Sequence, residues 1–142
     1  KKYSNMRKLY FFLFLCSTAM SLTAQGPWKL KLVDKEENIE LHLDLYEESI
    51  EVPGMEMFGP MNGYIGGDIY RIWSITSYKI KDDKNARIRV SNDLGSETQE
   101  IELIKKNDSI WNVNFIGRNV IKRVRGKKLV KAPSSFVMKK AL

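Results

Sequence analysis

The sequence predicts an all-β protein, an antiparallel meander of about eight strands closing into a small barrel, with an open β-sandwich as the alternative architecture. Three observations carry this. Ile39, Leu41, Leu43 and Leu45 alternate with Glu40, His42, Asp44 and Tyr46, a period of two that gives one strand an apolar and a polar face. Short apolar-alternating stretches recur at spacings of roughly 8 to 12 residues with polar or glycine turns between them. No segment carries a helical period, and no internal repeat is visible.

The elements follow in chain order. After Met6 come Arg7 and Lys8, the apolar run Leu9 to Leu15, and small residues ending at Ala24. That is the order of a secretory signal peptide. Residues 1–24 are therefore read as upstream residues and a cleaved leader, and residues 25–142 as a single barrel domain exported to the periplasm or beyond. Leu15 precedes Cys16 where a lipoprotein signal calls for a small residue, and no later stretch is apolar for the length of a spanning helix. Removing the leader takes four basic residues and lowers the net charge from +7 to +3. It also removes Cys16, so disulfide and thiolate chemistry are excluded from the mature chain.

Trp28, Leu30 and Leu32 share a face of a first strand, opposite Lys29 and Lys31. A polar connection, Asp34 to Asn38, leads back into Ile39 to Tyr46. Ser49 to Val52 reads as a short third strand, closed by Pro53-Gly54. From Gly54 to Asp68 glycines interrupt any regular element while Met55, Met57, Phe58, Met61 and Tyr64 keep the segment apolar. A loop of this length in a small domain is commonly functional. Ile69 to Lys81 is a long β-rich run, apolar on both faces at first and alternating later, which calls for a bulge near Ser74. Strands follow at Ala86 to Ser91, Thr98 to Ile104, Ser109 to Ile116 and Asn119 to Arg125. A basic connection, Gly126 to Ser135, precedes the last strand, Phe136 to Lys140.

Gly26-Pro27-Trp28 at the opening of the first strand resembles the Gly-x-Trp start of the calycin superfamily, which holds the lipocalins, fatty-acid-binding proteins and avidins. The resemblance implies a closed, lipocalin-like barrel able to carry a small apolar ligand. It also implies an arginine on the final strands packed over the tryptophan, a place that Arg123 or Arg125 could take. The chain departs from that pattern in lacking a disulfide, a second lipocalin motif and a helical pair between the first two strands.

Three chemistries are conceivable. Met57, Phe58, Met61, Tyr64, Trp73 and Tyr78 could line a ligand site behind the glycine-rich loop, and this is the preferred reading: a non-enzymatic binding or interaction module for a small apolar ligand, an envelope component or a protein partner. The closely spaced thioethers of Met55, Met57 and Met61 could instead hold Cu(I), since soft ligands suit a soft cation, although methionine also fills irregular apolar gaps. His42 between Glu40 and Asp44 could act as a general base in a small enzyme, but one strand offers a row of side chains rather than a cage. No cofactor is expected. Charge is segregated: nine acidic residues lie between Asp34 and Glu56, and nine basic and no acidic ones follow from Arg118 onward. The basic region could meet anionic lipid, acidic glycan or an acidic protein. Nucleic acid is disfavoured by the small mature charge.

Overall fold

A computed structural model describes residues 26–142. The leader, its cleavage near Ala24 and Cys16 lie outside the described residues.

The wall is a closed antiparallel barrel of eight strands, and all but the last pair with their neighbours in chain order. They are β1 (Lys29–Asp34), β2 (Ile39–Asp44), β3 (Gly63–Gly67), β4 (Trp73–Ile80), β5 (Asn85–Asn92), β6 (Thr98–Lys105) and β7 (Ile110–Ile116). A two-stranded ribbon, β8 (Lys122–Arg125) and β9 (Lys128–Lys131), stands outside the wall before β10 (Ser135–Lys140) returns between β7 and β1. The up-and-down order defines two rims. Trp28 and the β2–β3, β4–β5 and β6–β7 connections lie at the lower rim; the β1–β2, β3–β4 and β5–β6 turns and the β8–β9 ribbon lie at the upper rim.

Period-two alternation fills the interior. Leu32, Leu41, Leu43, Ile65, Ile88, Val90, Ile101, Leu103, Val113 and Met138 are buried there with Trp28, Trp73 and Trp111. Ile121 and Ala132, flanking the ribbon, belong to the same cluster and plug the upper rim. Gln99 ties this plug to the wall: its Oε1 accepts the Val120 N–H at 3.0 Å and its Nε2 donates to the Ile116 carbonyl at 3.0 Å. At the lower rim the Trp28 indole donates to the Asp82 carbonyl at 3.0 Å.

Three sequence expectations are corrected. Gly63–Gly67, read as irregular, is β3, and it pairs with β2 from Leu43↔Gly63 to Ile39↔Gly67. The glycines serve close approach: a Cβ at Gly63 would meet the His42 carbonyl, and one at Gly67 the Asn38 carbonyl. Ser49 to Val52 is not a strand; only an isolated Ile50↔Met61 bridge forms there. Asn119 to Arg125 is not a barrel strand either, because its second half folds on the basic segment after it through a two-residue Gly126-Lys127 turn. The bulge in β4 lies between Ile75 and Ser77, two residues beyond the expected place.

Candidate functional site

The predicted ligand residues do not converge. Trp73 is buried inside the barrel, with its indole donating to the Tyr70 carbonyl at 3.1 Å. Tyr64, next to the inward Ile65 on β3, points outward and stacks on His42 with ring centroids 4.6 Å apart. Met57 and Phe58 sit in a 3-10 turn, Glu56–Phe58, and are 85% and 65% exposed. Met61 belongs to the bridge with Ile50, and Met55 precedes the turn. Beyond the bulge β4 keeps its ladder with β5 but leaves β3, so Tyr78 is left at the surface. In the β2–β3 connection that carries the methionines, Val52 is buried outside the interior cluster.

His42 and its neighbours form a packed patch on the outer wall rather than a solvated strand face. Nε2 of His42 approaches Glu40 Oε1 to 3.3 Å, and Lys31 Nζ approaches Glu40 Oε2 to 3.3 Å. Burial pushes the Glu40 carboxyl up, but Lys31 and His42 outweigh it and hold Glu40 below the usual carboxylate range. Burial likewise pushes the Tyr64 phenol up, and the Glu40 charge adds to this. Asp44, the third member of the row, is fully buried. Its carboxylate accepts the N–H groups of Tyr46 and Glu47 at 3.0 and 3.1 Å and the Ser49 hydroxyl at 2.6 Å, with Lys29 Nζ at 3.5 Å. Asp44 therefore fastens the start of the β2–β3 connection. Among the described residues, no group of three or more His, Cys, Asp or Glu side chains converges as a metal site.

Arg123 and Arg125 lie at the upper rim, at the opposite end from Trp28, and each pairs with a carboxylate. Arg123 is buried and its Nη1 donates to Glu37 Oε2 at 2.7 Å; its Nε and Nη2 are buried without a partner. Arg125 Nη2 donates to Asp68 Oδ2 at 2.8 Å. The alternation Ile121, Arg123 on one side of the chain is the only signal that could have marked Arg123 as inward.

A groove of about 790 Å³ lies on the outside of the barrel, between the Val33–Glu37 turn and β10. It follows from the register. β1 and β10 pair only at Leu32↔Lys140 and Val33↔Lys139, because β1 ends at Asp34. Phe115 N–H donates to the Ser134 carbonyl and Lys140 N–H to the Ser109 carbonyl. Antiparallel alternation then turns Phe136 and Met138 toward β7 and turns Ser135, Val137 and Lys139 toward β1. The backbone N–H and C=O groups of Ser135 and Val137 therefore face the groove with no β1 residue opposite, and the Val137 side chain beside them is 61% exposed. No sequence signal marks this edge, since it depends on where β1 stops.

No protein family, curated protein or solved structure matches the chain. Among the described residues no helix is long and apolar enough to cross a membrane. The outer wall carries Lys29, Lys31, Glu40, Arg87, Arg89 and Glu100, several of them in ion pairs, in place of the apolar band of a lipid-facing barrel.

Proposed function

We propose that the protein is an exported, non-enzymatic interaction module that works through its outer surface, chiefly by receiving an extended segment of a protein partner along β10. The unpaired backbone of Ser135 and Val137 at the groove carries this reading. A sheet edge with free donors and acceptors recruits an extended strand, and a neighbouring apolar side chain gives it a contact. The filled interior supports the outside over an internal ligand, and His42 on the outer wall, away from the groove, supports binding over catalysis.

Val137→Pro tests the reading. The Val137 N–H has no β1 partner in the monomer, so proline at this edge should leave the melting temperature within a few degrees while removing the donor an added strand would use. Loss of a co-purifying partner in native mass spectrometry, with the fold intact, is the expected result. A small organic adduct retained by the wild-type protein and released on denaturation would overturn it in favour of a carrier barrel. A one-copper mass shift abolished by Met57→Leu with Met61→Leu would overturn it in favour of metal handling.

A further inference from the structure

The β8–β9 ribbon presents a second, separate surface. Its register pairs Lys122↔Lys131, Arg123↔Val130, Val124↔Leu129 and Arg125↔Lys128. Alternation sorts these into two faces. Arg123, Arg125, Lys128 and Val130 share the face turned to the barrel, where Glu37 and Asp68 hold the two arginines. Lys122, Val124, Leu129 and Lys131 share the face turned away. On it Val124 and Leu129 stand directly opposite one another, 48% and 47% exposed, as one apolar pair. Lys122 and Lys131 flank the pair on the base side of the same face, and Lys127 lies in the turn at the tip.

Among the described residues no carboxylate pairs with any of these three lysines. On the outward face a like-charged pair, Lys122↔Lys131, stands opposite in the ladder, an arrangement that destabilises a hairpin on its own. An anionic surface placed against the ribbon removes that repulsion. The two ion pairs on the other face hold the ribbon in position beforehand, so docking orders little that is not already ordered.

We infer that the outward face of the β8–β9 ribbon docks on an anionic phospholipid bilayer, with the lysines at the headgroup phosphates and the Val124–Leu129 pair inserted at the acyl boundary. Charge complementarity identifies the anion, and the apolar pair selects a bilayer over other anionic partners. A polysaccharide or nucleic acid offers phosphates or carboxylates but no apolar layer for two aliphatic side chains, and the face has no aromatic ring for stacking on a sugar or base. The inference uses a surface other than the β10 edge and stands whether or not that edge has a partner.

Vesicle co-sedimentation of the mature protein tests it, comparing phosphatidylcholine with mixed phosphatidylcholine and phosphatidylglycerol at low and high salt. Binding to the mixed vesicles alone, weakened by salt, is expected. Lys122→Gln with Lys131→Gln should lower the partition coefficient about 25-fold, at about fivefold per lysine. Val124→Ser with Leu129→Ser should lower it about tenfold. All four positions are exposed, so unchanged melting curves will separate loss of binding from loss of fold. Equal binding to neutral vesicles, or binding unaffected by the lysine substitutions, would overturn the inference. So would binding to soluble heparin as tight as to the mixed vesicles and indifferent to Val124 and Leu129, which would make the ribbon a polyanion site.

Discussion

The wall between β4 and β7 and the wall around the β10–β1 closure are built from the same period-two pattern yet differ in how they are held. From β5 to β6 the ladder runs unbroken from Asn85↔Ile104 to Ser91↔Thr98, and β6 continues with β7 from Glu100 to Lys105. At the closure the β1–β10 ladder is Leu32↔Lys140 and Val33↔Lys139, extended by the Ala141 N–H bond to the Lys31 carbonyl, and β3 meets β4 only at Tyr64↔Ser74 and Ile65↔Trp73. The first region is fastened by backbone along its whole length; the second has a short ladder with the interior cluster behind it, and side chains such as Asp44 fasten the connection that follows β2. A barrel can thus be closed in topology while one seam still offers an edge.

The largest effect should come from the continuous region. Leu103→Ala removes a fully buried side chain from β6, and a loss of about 2–5 kcal/mol in chemical denaturation is expected, because rigid neighbours on both sides cannot collapse into the space. A loss well below this range would break the comparison by showing that the laddered wall yields.

Asp44→Ala should cost less, about 1–3 kcal/mol, by leaving the Tyr46 and Glu47 N–H groups and the Ser49 hydroxyl without their acceptor. Burial raises the Asp44 carboxyl, but these donors and Lys29 more than reverse it, and its folded value lies below the ordinary 3.8. A depressed carboxyl contributes stability above its unfolded value and loses it as pH falls through the folded one. The stabilities of the wild type and Asp44→Ala should therefore converge below pH 3.8, and an unchanging gap down to strong acid would count against this role.

The smallest perturbation is amide hydrogen exchange, which changes no residue. Ile101 in the β6 ladder should exchange only with global unfolding, whereas Val137, facing the groove, should exchange orders of magnitude faster. Comparable protection at the two would mean that the β10 edge is covered, and would remove the basis for strand addition.

Strands that bury one face against the core were legible as strands. Ile39 to Asp44, Ile88 with Val90, Ile101 with Leu103, and Trp111 with Val113 and Phe115 all alternate because one wall face packs and the other meets water. β3 was not legible. Its signal should have been alternating side chains, but Gly63 and Gly67 are needed where the β2 backbone passes too close for a Cβ. The basic stretch after Gly126 was equally opaque, since Lys128–Lys131 is exposed throughout and pairs outside the wall. Candidate site residues fared worse: Met57, Phe58, Tyr64, Trp73 and Tyr78 are neighbours in sequence but are divided between interior, outer wall and solvent, and a one-residue step along a strand reverses the face.

The sequence by itself determined an antiparallel β-barrel, its apolar face and the basic character of its last third, because alternation and composition are local properties of the chain. Only the tertiary structure decided which strands close the wall, that the β1–β10 seam stops short, that Asp44 and Arg123 are buried, and that Val124 and Leu129 share an outward face with lysines. Those depend on register and on where a neighbouring strand ends, quantities set by packing between segments far apart in the chain.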